Sequence, residues 1–190
     1  MTISHLTAAD FRIMPWANGL GRTVELYRRE DDAGRLLLRL SVADVVSDGP
    51  FSSLPGVDRI LTLIEGDGFD LDFAGSAPSA PARLYRPVAF SGDWQTSAIH
   101  LKGPSRDFNL MTQRGLFAAE VLHLPTGDHP IETTDAAFLA LYAISGEVRV
   151  SPSYAIARAG DLLVVQDENE LTATISGDAL LVQLKKTGPA

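Results

Sequence analysis

The chain contains no cysteine. That excludes disulfides, a thiol nucleophile, iron–sulfur clusters and every zinc site built on thiolates. Cationic charge is scarce too: sixteen Lys and Arg stand against twenty-four Asp and Glu, a formal net charge of −8 over 190 residues. A field of that sign repels phosphate backbones and anionic membrane surfaces, so neither nucleic acid nor a membrane is an expected partner. The longest wholly apolar stretch, Ala136 to Ile144, falls well short of the roughly 20 residues a membrane helix needs. The first residues, Met1-Thr2-Ile3-Ser4-His5, lack the basic and apolar regions of a signal peptide, and the expected address is the cytoplasm. No phosphate-binding Gly-x-x-x-x-Gly-Lys, dinucleotide Gly-x-Gly-x-x-Gly, nucleophile-elbow Gly-x-Ser-x-Gly or His-Glu-x-x-His is present.

What is present reads as short strands. Leu36, Leu38, Leu40 and Val42 mark one face of a strand, and Leu37, Arg39, Ser41 and Ala43 the other. Val24 and Leu26 alternate with Thr23 and Glu25; Ile60, Thr62 and Ile64 with Arg59, Leu61 and Leu63; Phe108 and Leu110 with Asp107, Asn109 and Met111. Turn signals such as Asn18-Gly19, Asp48-Gly49-Pro50, Ser91-Gly92-Asp93 and Ser145-Gly146-Glu147 punctuate them at regular intervals. The one helix expected is short, around Thr7 to Phe11. This is an all-β protein, and the spacing implies a sandwich or barrel.

A faint internal repeat aligns Leu61, Ile64 and Gly66 with Leu141, Ile144 and Gly146, and Thr96–Ile99 with Thr172–Ile175. It implies a duplicated barrel unit joined near Arg114 to Ala119, with residues 1–115 forming one unit and 116–190 the other.

The four histidines, His5, His100, His123 and His129, include no His-x-His pair, so no metal and no other cofactor is expected. His100 is the one retained as a candidate, because it ends a strand near Asp107. Arg39 and Arg59 each sit on a strand whose other face is apolar. In an open sandwich they would face solvent, whereas in a small barrel they would line an interior able to hold one small ligand. An interior arginine needs a partner, for which Glu25 and Asp107 are candidates. A guanidinium matches a carboxylate in bidentate fashion, so inward arginines imply an acidic small molecule. Trp16, just before Asn18-Gly19-Leu20-Gly21, could pack over a barrel end or form a stacking wall for a planar ligand.

Together these segments resemble the HutD/Ves family of bicupin proteins. The resemblance is carried in order by Trp16 to Glu25, Arg39 to Ala43, Gly49 to Ser52, Pro55 to Arg59, Glu65 to Gly68, Phe90 to Trp94 and Asp107 to Met111. The family's turn usually has three consecutive glycines, of which the middle one is Leu20 here. The resemblance implies two cupin units without a barrel metal. It also implies an accessory, regulatory role beside histidine degradation, with urocanate or an N-formylglutamate-like acid as ligand. The expected binding residues are Trp16, Asn18, Thr23, Glu25, Arg39, Ser41, Arg59, His100, Asp107, Asn109 and Met111. The competing expectation is a cupin isomerase, hydrolase or dioxygenase, with His100 and Glu25 or Asp107 as acid and base. Pairing of two copies through strands at the barrel edge is the expected assembly.

Overall fold

In the computed structural model, which describes residues 2–16, 21–166 and 170–188, every helical or extended element is a strand. In chain order these are β1 (Thr2–Leu6), β2 (Arg12–Pro15), β3 (Arg22–Glu30), β4 (Leu36–Val45), β5 (Gly49–Pro50), β6 (Val57–Glu65), β7 (Phe69–Asp72) and β8 (Ala80–Ala82). They continue with β9 (Pro87–Ser91), β10 (Ser97–Ile99), β11 (Ser105–Gln113), β12 (Phe117–Glu132), β13 (Ala136–Ser151), β14 (Ala155–Arg158), β15 (Leu162–Gln166) and β16 (Glu170–Lys186). Among the described residues no helix is long and apolar enough to cross a membrane.

The helix expected at Thr7 to Phe11 is instead a turn. The Asp10 carboxylate accepts hydrogen bonds from the Thr7 amide and hydroxyl, and the Asp10 amide donates to the Thr7 carbonyl at 2.9 Å. Those side-chain bonds close the segment locally and leave no ladder to propagate.

The chain divides into two compact units, Arg12–Leu116 on one hand and Met1–Phe11 with Phe117–Ala190 on the other. The first strand sorts with the C-terminal residues because β1 pairs antiparallel with β15, Thr2 opposite Gln166 and Leu6 opposite Leu162. No local pattern announces a pairing across so long a separation.

The N-terminal unit is two sheets, six strands in the order β2-β3-β4-β11-β6-β9 and four in the order β5-β10-β7-β8. Leu61 and Leu63 of the first sheet and Phe69, Leu71 and Ala98 of the second share one apolar cluster. The C-terminal unit is a single sheet in the order β1-β15-β13-β16-β12, with β14 on β13. Its strands β12, β13 and β16 are 16 to 17 residues long, beyond the common strand length, and bend rather than run straight. Leu139 and Leu141 before the bend in β13, and Val148 and Val150 after it, bury in the same cluster.

The bend explains why Ser145-Gly146-Glu147 is not the turn expected of it. Ala143 pairs with Ala179 and Ser145 with Asp178, so Ile144 is the extra residue of a β-bulge inside β13. The matched stretch of the N-terminal unit does the same: Leu63 pairs with Asp107 and Glu65 with Arg106, which leaves Ile64 unpaired. Gly66 and Gly146 follow their bulges with positive φ, 96° and 65°. A Cβ on either would collide with neighbouring backbone, Pro104 O just ahead of β11 in one case and Ser176 O of β16 in the other. Beyond Gly66, β7 pairs with Ser97–Ile99; beyond Gly146, β13 pairs with Thr172–Ile175. Both halves of the sequence repeat therefore fall on the same strand, bulge and strand arrangement.

Candidate functional site

Strand register builds a polar grid inside the N-terminal unit. Arg39, Met111 and Arg59 lie side by side across β4, β11 and β6. The next row holds Ser41, Asn109 and Leu61, and the one after it Ala43, Asp107 and Leu63. Directly paired residues of an antiparallel sheet share a face, so all nine side chains look the same way. Two strand spacings separate the Arg39 and Arg59 backbones by about 10 Å. Over them lies a cavity of about 580 Å³, lined by Arg39, Ser41, Met111, Asn109 and Arg59, by Trp16 and Thr23, and by the segment from Ser47 to Leu54. That volume suits a small organic ligand.

The two arginines are held differently. Arg39 donates from Nε to Glu25 at 2.6 Å, while among the described residues its Nη atoms meet only the thioethers of Met111 at 3.8 Å and Met14 at 4.0 Å. Sulfur is a weak acceptor, so one edge of this guanidinium keeps most of its donor capacity. Arg59 is 4% exposed and lies over the rings of Phe90 and Phe51, 4.9 and 5.4 Å from their centroids. It donates from Nη2 to Asn109 Oδ1 at 2.9 Å and from Nη1 to the Ser52 carbonyl at 3.4 Å, and its buried Nε has no partner. Burial pulls its pKa down to about 10, helped by the positive charge of Arg39 and opposed by Asp107, so it stays cationic at neutral pH.

Behind Asn109 lies Asp107, fully buried. Asn109 bridges the pair, donating from Nδ2 to Asp107 Oδ1 while its Oδ1 receives Arg59. Asp107 Oδ2 is buried without a hydrogen-bond partner. Burial pushes this carboxyl up to about 7, reinforced by Asp44 and opposed by the Asn109 amide and the Arg59 charge. Trp16 is fixed at the cavity wall by donating from Nε1 to Thr23 Oγ1 at 2.9 Å. The Trp16 amide donates to the Gly21 carbonyl at 3.0 Å.

Seven of the residues expected from sequence line this one cavity: Trp16, Thr23, Arg39, Ser41, Arg59, Asn109 and Met111. Glu25 and Asp107 stand behind the arginines as their counter-charges. Asn18 and Leu20 lie outside the described residues. His100 is not part of the group: its ring is 75% exposed and bonded through Nδ1 to Asp70 at 3.1 Å. Proximity to Asp107 in sequence does not survive the turn between β10 and β11. Among the described residues no group of three or more His, Asp or Glu is placed to hold a metal.

Sequence reasoning did not name Asp48, read only as part of a turn, or Phe51, read only as part of a family segment, as site residues, yet both line the cavity. The Asp48 carboxylate accepts from the backbone amides of His100 and Leu101 at 3.1 and 2.9 Å, tying the end of β10 to the cavity wall. A turn aspartate carries no mark of that longer reach.

The model of the HutD family matches residues 8–182. The chain is 36% identical over 187 residues to an uncharacterised protein in the hutC 3' region of Pseudomonas putida, covering 94% of this chain and 95% of that protein. It is 34% identical over 143 residues to the protein Ves of Cronobacter sakazakii, covering 72% and 75% of the two chains. Its structure superposes on that of HutD from Pseudomonas fluorescens SBW25 with a TM-score of 0.85 at 30% identity, over 98% of this chain and 100% of that one. The chain belongs to the HutD family.

Proposed function

We propose that the protein is a non-enzymatic binder of a small carboxylate metabolite, acting as an accessory or regulatory protein of histidine catabolism. The observation that carries this reading is the pair of guanidiniums on one row of the cavity, with the Nη donors of Arg39 uncommitted to any oxygen among the described residues. A carboxylate that meets Arg39 gains charge-assisted hydrogen bonds worth about 1.5–3 kcal/mol each. Ser41 and Asn109 offer neutral polar contacts on the next row, and Trp16 and Phe51 offer flat apolar walls for a planar or extended body. The likeness to a protein of the hutC 3' region supports urocanate and N-formylglutamate as the acids to try first.

The test is calorimetric titration of both acids into metal-stripped protein, with glutamate and succinate as controls. Stoichiometric, selective heat is expected. Absence of heat with every acid, together with an unchanged melting temperature, would defeat the reading, since a ligand of the native state must stabilise it.

An enzymatic reading draws on Asp107, a carboxyl whose pKa near neutrality suits proton transfer. Asn109 and Arg59 separate it from the cavity, which favours the binding role. Turnover of either acid, followed by NMR, would reverse that preference.

A further inference from the structure

The chain of groups from the cavity inward, Arg59 to Asn109 to Asp107, has a feature that carboxylate binding alone does not require. Arg59 is not paired directly with a carboxylate. Its counter-charge is one amide away, sealed from solvent, and one of that carboxylate's oxygens has no partner. We propose that Asp107 couples ligand binding to proton uptake, so that an anion seating on Arg59 is taken up together with part of a proton that settles on Asp107. This rests on the carboxylate-binding reading above and adds the regulation of that site.

Charge balance in a low-dielectric interior governs Asp107. Arg59 and the Asn109 amide are what favour the ionised form of Asp107, while burial and Asp44 disfavour it. A ligand carboxylate on Arg59 shields that cation from Asp107 and adds a second negative charge nearby. Two anions then share one buried guanidinium, and the sealed one takes the proton because it cannot recover solvation. The other charges around Asp107 are already committed. Asp44 of β4 is held by Arg22 of β3 and Arg106 of β11, and Glu25 of β3 by Arg39 of β4. The core residues contributed by β7, β8 and β10 are apolar. Asp107 is thus the group left to respond near neutrality.

The experiment uses N-formyl-L-glutamate, whose own charge is constant from pH 6 to 9; the imidazole of urocanate would itself titrate near that range. Calorimetry in two buffers of different ionisation enthalpy counts protons taken up on binding. The expected result is a fraction of a proton, largest just above pH 7, and an affinity that falls as pH rises. The fall should be about tenfold for each pKa unit by which the anion raises Asp107. In Asp107→Asn the amide of Asn109 keeps an acceptor, the uptake disappears, and affinity at pH 8 matches that of the wild type at pH 6. Carbon-13 NMR of the Asp107 carboxyl in wild-type protein, with and without the acid, reads the same coupling should the variant fail to fold: its titration moves to higher pH with ligand bound. Binding without proton uptake, or uptake unchanged in Asp107→Asn, overturns the coupling and leaves the binding role standing. No binding at all overturns both.

Discussion

The interior of the C-terminal unit is filled by Leu, Val, Ile and Ala side chains, whereas that of the N-terminal unit sets two arginines, a carboxyl, an amide and a hydroxyl beside its apolar half. The bulges make the two interiors comparable position by position. Counting back from Gly66 and Gly146, Arg59 corresponds to Leu139, while strand pairing matches Asn109 to Leu181 and Asp107 to Ala179. One lattice of positions therefore holds Arg, Asn and Asp in one unit and Leu, Leu and Ala in the other. The apolar set shows what packing alone selects at these places. The polar set costs desolvation without improving the core, and such a cost is usually kept for a function.

The comparison breaks most visibly if the polar set is copied to the wrong unit. Leu139→Arg would bury a cation among Leu, Val and Ile with no carboxylate among the residues paired directly with it, Gln183 and Val165. The expected loss is at least about 3–5 kcal/mol, read as a collapse of the denaturation midpoint.

The next largest effect belongs to Asp107→Asn, and it depends on pH. Because burial raises this carboxyl from its ordinary 3.8 to about 7, the folded state holds the proton more tightly than the unfolded chain does. The group's contribution is then most favourable below about pH 4 and is lost as pH rises to 7 and beyond. The asparagine avoids that loss, so the variant should be more stable than wild type at pH 8 by up to about 4 kcal/mol at about 1.4 kcal/mol per pKa unit. Melting curves of both proteins at pH 8 and pH 4 would check it, with the difference closing at the lower pH.

A smaller effect is expected at the cavity wall. Trp16→Phe keeps an aromatic ring but loses the pyrrole of the indole and its bond to the Thr23 hydroxyl, and should cost at least about 0.5–1.5 kcal/mol in stability. Urocanate, being planar, should lose more affinity in this variant than N-formylglutamate does; equal losses would argue that Trp16 is only a rim residue.

Much of this grid was legible beforehand. Period-two alternation in β4 put Arg39, Ser41 and Ala43 on the face opposite Leu38, Leu40 and Val42, and the cavity lies on that face. The repeat aligned Gly66 with Gly146 but announced no bulge, and at Gly146 the residue type that makes a turn made a bend within a strand. What alternation cannot convey is reach between distant segments. The pairing of β1 with β15, the hold of Asp48 on the end of β10, and the capture of His100 by Asp70 all depend on where turns aim the chain. Nor does spacing reveal that Asn109 stands between Arg59 and Asp107, since that follows from the register of β11 against β6.

Whether the polar interior of the N-terminal unit holds a carboxylate on its arginines is decided by one paired titration. N-formyl-L-glutamate is titrated into wild-type protein and into Arg39→Ala at pH 6.5, with melting temperatures recorded alongside. The predicted result is stoichiometric binding by the wild type and a loss of about one to two decades in affinity in a variant that remains folded. Equal affinity in the two proteins would mean that Arg39 does not hold the carboxylate.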